Sequence, residues 1–471
     1  MLDTQVHVRF FTLLLLLSLG ACGGGGSSLP LAAAAPVVTN TDVPDVPDVP
    51  NVPAEPVEPA GVAYIMDEFF PGKTFSGMRD LARPAVTANP LGSAMLGCTV
   101  LMTEASLCSF NQLPLLGMQT IDPSIDDIMA RTLVSHEWMA VRLREVLERM
   151  PPELLLIMRG ITAIVISYDV RPSFYWQGTG AIYLDPDRLW LTEAERLTVD
   201  PAPDYRTDLG NVFQFLMPAR YVAAGEVDLR NLTRSLDTVA LRMAALFYHE
   251  LAHANDFYPP ASLPTINRTV PMYQAVLTGS RPSNLLQGSF PLSSMLMARL
   301  AGVSFSGNTA RTADRELLAA DVGAEFPLDV ANDFYNYSSP REDLAMLFEE
   351  AMMFYSFGIG RDVAVTNLPA ELLSCDQLLV AWGERHRVAH PAILARVQLV
   401  LDKVLPEVAS AVEQRLASLV PMPMRAGEDF CANIALNMTA PEAPQQPSST
   451  RGAPRVGASS NLLPGKFLPY L

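Results

Sequence analysis

Apolar positions along the chain fall into distinct regimes. Phe10 to Leu19 is a dense apolar run behind Met1 to Arg9, a segment with one Arg. The run is about half the length of a bilayer crossing, so it predicts the core of a signal peptide and not an anchor helix. From Leu31 to Ala60 the apolar residues lose any period. Pro, Val and Ala dominate, and Asp42-Val43-Pro44, Asp45-Val46-Pro47 and Asp48-Val49-Pro50 repeat. Such a segment cannot bury enough surface to fold, and it predicts an extended polyproline II spacer rising about 3.1 Å per residue. Periodic patterns occupy Gly61 to Ala435. Met438 to Leu471 is aperiodic and rich in Pro, Ser and Gly, and reads as a disordered tail.

Within the body, Ser135 to Met150 has helical spacing at Trp138, Val141, Leu143, Val146 and Leu147 and stops at Pro151-Pro152. Ile161 to Ser167 is β-branched, and Thr179 to Asp185 follows an aromatic loop, which predicts two strands. Ser235 to Tyr258 is a long apolar-periodic helix that ends on Pro259-Pro260. A further helix starts at Ser339-Pro340 and runs to about Phe357, and another covers Ala392 to Leu419. The order predicts an α+β fold with a small mixed sheet, a long helix and a mainly helical C-terminal lobe. The organisation expected is 1–21 signal peptide, 22–60 tether, 61–435 folded body (sheet and long helix to about 260, helical lobe 261–435) and 436–471 tail.

Composition supports a large core: 49% of the 471 residues are apolar and 18% charged, which excludes global disorder. Acidic side chains exceed basic ones by 50 − 33 = 17, which argues against a nucleic-acid surface or a polybasic membrane patch. Leu19-Gly20-Ala21-Cys22 resembles the lipobox of bacterial lipoproteins, and Gly23 to Ser28 would be a flexible tether. The resemblance implies lipidation of Cys22. Gly23, with no Asp after the cysteine, implies sorting to the outer membrane, with the body facing the periplasm or the cell surface. Four cysteines remain, and an even number in an exported chain suggests disulfides. Of the three connectivities, Cys98–Cys108, close in sequence, and Cys375–Cys431, which bracket a helical region, are expected; the alternative, a structural zinc site, is weak because no C-x-x-C spacing exists.

The motif with chemistry in it is His249-Glu250-Leu251-Ala252-His253. On a helix, residues four apart share a face, so both imidazoles can meet one ion while Glu250 stands beside them. This is the zincin H-E-x-x-H arrangement. A zinc ion in it polarises a carbonyl and acidifies water, and the glutamate serves as general base. Asp256, three residues on, is a candidate to hydrogen-bond a ligand histidine.

The third ligand must be sought elsewhere. Tyr335-Asn336-Tyr337-Ser338-Ser339-Pro340-Arg341-Glu342-Asp343-Leu344-Ala345-Met346-Leu347-Phe348 resembles the third-ligand helix of gluzincin metallopeptidases, most closely the anthrax lethal factor type. The resemblance implies Glu342 as zinc ligand and Tyr335, 342 − 7, as oxyanion donor. The family has a second glutamate where this chain has Met346, so that acidic partner is expected to be missing. The gap from His253 to Glu342, 342 − 253 = 89 residues, implies an inserted segment. A capping box competes for the same residues: Ser339, Pro340 at the first helical position and Glu342 three residues after the serine. Glu349 is the reserve ligand and Tyr337 the reserve phenol.

Two other histidine patterns carry less. His386 and His390 are four apart but flanked by Arg385 and Arg387, and predict a solvated helix face. His136-Glu137 lacks a second histidine and reads as structural. Gly180 to Leu184 is either an edge strand able to bind an extended peptide or a buried core strand. The function expected is a membrane-anchored zinc peptidase acting on a peptide or protein substrate. The alternative is a non-catalytic tethered module on the same fold that binds a partner in the cell envelope. A zinc hydrolase of a non-peptide amide, such as a cell-wall cross-link, is a third possibility.

Overall fold

The computed structural model describes residues 64–69, 74–204, 209–276, 280–372 and 374–436. The expected signal peptide, Cys22, the tether and the tail beyond Leu436 lie outside them.

The first sheet contains β1 (Arg83–Pro84), β2 (Thr132–Val134), β3 (Ile164–Ile166), β4 (Phe174–Trp176) and β5 (Ala181–Leu184), in the order β1-β2-β3-β5-β4. β2, β3 and β5 are parallel, and β1 and β4 run antiparallel at the two edges. The two-residue period sends Ile164, Ile166, Ile182 and Leu184 into the main core and Val165, Ala181 and Tyr183 into a second core on the opposite face. Burial on both faces is why these strands read as continuous β-branched runs. It also places β5 inside the sheet. The edge strand is β4, in the segment read from sequence as an aromatic loop.

α1 (Glu137–Leu147) buries Met139, Leu143, Val146 and Leu147, and leaves Val141 59% exposed on the far side of that stripe. α2 (Leu236–Phe257) starts at Ser235, whose Oγ accepts from the backbone N–H of Thr238, and ends ahead of Pro259-Pro260. After it come α3 (Pro282–Ser289), α4 (Met295–Ser306) and α5 (Pro340–Phe357). α5 has Ser339 at its N-cap and Pro340 at its first position, and it closes on Gly358 at φ 65°, a left-handed conformation that glycine adopts without strain. The helix expected over 392–419 is two: α6 (Pro391–Val404) and α7 (Ala409–Ala417). Pro406 lies in the break, where it removes a backbone donor. α2 and α5 form the centre of the main core through Val239, Met243, Phe247 and Leu251 on one side and Leu344, Leu347, Phe348 and Ala351 on the other.

A second sheet corrects the expectation of helices alone after about 260. β6 (Phe215–Leu216), β7 (Ala219–Ala223), β8 (Val227–Asp228), β9 (Gly360–Asn367), β10 (Val380–Arg385) and β11 (Met422–Pro423) are all antiparallel, ordered β11-β10-β9-β7-β8 with β6 also on β9. Strands that precede α2 thus pair with strands that follow α5. Charge hid these strands. Arg361 and Asp362 of β9 are buried, paired with Asp333 at 2.8 Å, and with Arg220 at 2.8 Å and Arg385 at 2.6 Å. The structure forms both expected disulfides, Cys98–Cys108 and Cys375–Cys431, each with Cα atoms 5.5 Å apart.

Candidate metal centre

One helix and the start of another make the site. His249 and His253 stand one turn apart on α2, with ring centroids 4.9 Å apart and planes nearly perpendicular. α5 brings Glu342 to them across the 89 intervening residues. Glu342 Oε2 lies 3.0 Å from His249 Nε2 and 3.2 Å from His253 Nε2. Ser339 Oγ accepts from the backbone N–H of Glu342, so the serine caps α5. The glutamate carboxylate does not close the reciprocal half of a capping box, because it faces the histidines instead.

The donors fit a metal ion. The ligand atoms of His249, His253 and Glu342 all lie within 4.8 Å of one another. In a tetrahedral shell with bonds of about 2.0–2.1 Å, neighbouring donors are roughly 3.3 Å apart, close to the 3.0 and 3.2 Å from Glu342 Oε2 to the two histidine Nε2 atoms. His249 Nδ1 is 2.9 Å from Glu349 Oε2, which leaves Nε2 as the metal-facing nitrogen. His253 Nδ1 is buried with no hydrogen-bond partner.

Charge follows from these contacts. Burial opposes a charge on His249, but the hydrogen bonds to Glu342 and Glu349 outweigh it and hold the imidazole well above its ordinary value. Burial likewise works against ionised Glu342, and His253 and His249 overcome it, keeping the carboxyl well below the usual range. Glu250 is only 7% exposed. Burial raises its pKa, against the pull of both histidines, and its carboxylate accepts the backbone N–H of Tyr175 on edge strand β4.

Several expectations change. Glu349, the reserve ligand, does not stand on the Nε2 side of the histidines: its Oε2 lies 2.9 Å from His249 Nδ1, so an acidic partner for that histidine is present two turns along α5 from Glu342. Its other oxygen, Oε1, accepts from Tyr221 Oη at 2.7 Å. Tyr221 lies on β7, and Arg361 of β9 sits 5.0 Å from its ring centroid, so the second sheet braces the site. No local signal marked Tyr221; the pairing of β7 with β9 places it. Glu349→Ala should lower divalent-metal affinity about 10- to 100-fold, and Tyr221→Phe should act in the same direction more weakly, as read by competition with a chelator.

Asp256 does not reach a histidine nitrogen. Its carboxylate accepts from the Ser283 backbone N–H at 2.7 Å and from Ser283 Oγ at 2.8 Å, two donors at the start of α3 that compete successfully for a short side chain. Tyr335 stacks over His249, centroids 6.0 Å apart, and is steadied edge-on by Phe305 of α4 at 4.6 Å. Tyr337 is buried against Phe326, beside Asp329, and is not at the site. His386 and His390 do not share a helix. His386 has φ 62° and its ring packs on Phe354, where burial first and Arg385 second push its pKa down to about 4. His390 caps α6, its Nδ1 accepting from the Ala392 N–H. His136 Nδ1 is 2.9 Å from Ser135 Oγ, far in sequence from the site residues.

No family model, curated protein or solved structure matches this chain.

Proposed function

We propose that the chain is a zinc-dependent peptidase of gluzincin type on a zincin-like fold, tethered to the outer membrane through lipidated Cys22. The observation that carries the reading is Glu342 Oε2 within 3.0 and 3.2 Å of the two Nε2 atoms of the H-E-x-x-H helix, with Glu250 between the histidines in sequence. His249, His253 and Glu342 would hold the ion, which when bound supplies Lewis acidity toward a carbonyl oxygen and acidifies water.

The chain's own residues do the rest. Glu250, oriented by the Tyr175 N–H, takes the proton of the attacking water and passes it to the leaving amine. Its raised pKa suits both transfers, because a base poised nearer neutrality releases the proton it has taken. Tyr335, held over His249 by Phe305, donates to the oxyanion that develops on the cleaved carbonyl. β4 is an edge strand next to Glu250, which favours an extended peptide added along it as the substrate pose.

The deciding experiment is the metal content of purified protein together with cleavage of a peptide library, with and without a chelator. About one zinc per chain and chelator-sensitive cleavage are expected. Sub-stoichiometric zinc with no cleavage would favour the non-catalytic binding module instead. For the anchor, Cys22→Ser should release the protein from membranes in soluble form; retention after a high-salt wash would remove the acyl chain as the tether. Among the described residues no helix is long and apolar enough to cross a membrane.

A further inference from the structure

The loop that carries Tyr335 hangs from one buried carboxylate. Tyr335 opens a four-residue 3₁₀ turn, Tyr335–Ser338, ahead of α5, and its half-buried ring lies over His249 with the two planes 26° apart. Asp333, two residues earlier, is buried. Its Oδ1 accepts the backbone N–H of Tyr335 at 3.0 Å, and its Oδ2 accepts from Arg361 Nε at 2.8 Å. Glu350 Oε1 is 3.3 Å from the same nitrogen, but burial pushes that carboxyl well above its ordinary value, which favours its neutral form and leaves Asp333 as the counter-charge of Arg361. The backbone N–H of Asp333 donates to Asn336 Oδ1 at 2.9 Å, and Asn336 Nδ2 donates to Asp343 Oδ1 at 2.8 Å, next in sequence to Glu342. The other Asp343 oxygen accepts from buried Arg396 of α6.

Each end of this chain of bonds lies in regular structure. Asp343 is in the first turn of α5. Arg361 stands on β9 directly opposite Tyr221 of β7, and Tyr221 leads through Glu349 to His249 Nδ1. The guanidinium behind those contacts therefore also fixes the carboxylate beneath Tyr335. An ion pair that served stability alone would need only Oδ2; it is Oδ1, aimed at the Tyr335 N–H, that ties the phenol-bearing residue to the second sheet. Two N–H donors facing two atoms of one side chain demand an acceptor at both, which a carboxylate provides and an amide does not. In a buried site the donor left over must lose its partner or move, and the Tyr335 backbone would move with it.

We propose that Asp333 is a positioning residue: tied to β9 by Arg361, it fixes Tyr335 so that the phenol lies over His249, where an oxyanion donor is needed. The role in turnover rests on the peptidase reading, whereas the placement of the ring does not, and the two are read separately. A donor to the oxyanion acts in the transition state, so displacing it lowers kcat and leaves KM nearly unchanged.

Asp333→Asn keeps the side-chain volume and removes one acceptor. Its oxygen should turn to the guanidinium, the stronger partner, and leave the Tyr335 N–H facing an NH2 group. On a library peptide, zinc-loaded variant should lose about 10- to 100-fold in kcat, with KM within about twofold of wild type. In a Tyr335→Phe background the same substitution should change kcat less than about twofold, because the group it positions is gone. Ring placement is read without turnover by fluorine NMR of fluorotyrosine-labelled protein, the Tyr335 signal being the one missing from Tyr335→Phe. Zinc should displace that signal in wild-type protein, and most of the displacement should be lost in Asp333→Asn. Two double variants keep the test open should the single variant misfold: Asp333→Asn with Arg361→Met, and Asp333→Leu with Arg361→Met. Both remove the two charges of the pair and differ only in the acceptor at 333. With the guanidinium gone the Asn oxygen is free for the Tyr335 N–H, so at saturating zinc the first should keep kcat and the fluorine displacement near wild type, and the second should lose both. An equal loss of kcat with and without the Tyr335 phenol, or equal behaviour of the two double variants, overturns the assignment. If wild-type protein hydrolyses no peptide, the peptidase reading fails and the fluorine signal decides alone: displacement lost in Asp333→Asn supports the positioning role, and displacement retained overturns it.

Discussion

Glu250→Gln should leave one zinc per chain in place and lower peptide turnover by two or more orders of magnitude, the scale on which a positioned general base contributes. The expectation follows from how the residue is held. Glu250 lies between the ligand histidines in sequence but is not one of the three clustered donors, so an isosteric amide leaves the ligand set of His249, His253 and Glu342 intact. The amide oxygen can still accept the Tyr175 N–H, so the side chain keeps its position and loses only its ability to take a proton. Zinc analysis and initial rates on the same preparation check both halves. Wild-type turnover in the variant would remove Glu250 from the mechanism; loss of zinc would mean that it also supports the metal shell.

The second large effect is expected at Glu342. Two histidines alone make an incomplete shell for an ion that prefers four-coordination, so Glu342→Ala should weaken zinc binding by well over tenfold. Glu342→Gln sharpens the result. Glutamine can accept a hydrogen bond and suits a helix start as well as glutamate does, but it is a poor zinc ligand. The cap itself resides in Ser339, whose Oγ accepts from the backbone N–H of residue 342 whatever its side chain. The melting temperature of the metal-free Gln variant should therefore stay close to wild type, whereas loss of a cap costs about 1 kcal/mol. Chelator competition and thermal melting of the same sample read the two terms. Tight zinc with a lowered melting temperature in Glu342→Ala, together with tight zinc and an unchanged melting temperature in Glu342→Gln, would assign Glu342 to the cap.

Much of the site could be read from the residues because its parts follow local rules. The four-residue spacing of His249 and His253 is a property of one helix, and Ser235 and Pro259-Pro260 mark where that helix begins and ends. Ser339-Pro340 marks the next start, and hence which face Glu342 occupies. The Cys98–Cys108 pair was reachable from its short spacing, and Cys375–Cys431 from the helical region that the two cysteines bracket.

What local pattern could not supply depends on residues brought together from distant segments. Met346 suggested that an acidic partner was missing, yet Glu349 provides one for His249, because packing of α5 on α2 turns that face toward His249 Nδ1. Tyr221 and Arg361 reach the site only through the pairing of β7 with β9, 360 − 223 = 137 residues apart at their nearest ends. β9 itself was hidden, since Arg361 and Asp362 look like surface residues until their partners are known. Asp256 had a helical neighbour in His253 and was won instead by Ser283, which only the approach of α3 provides. The sequence by itself determined the helix that carries the two histidines and Glu250, the helix start that carries Glu342, and the α+β class, because hydrogen bonding and side-chain period within one element dictate them. Only the tertiary structure decided which carboxylate faces the Nε2 atoms, which one meets His249 Nδ1, and which strand lies at the sheet edge, because those outcomes depend on competition among donors, charges and strands that meet only when the elements pack.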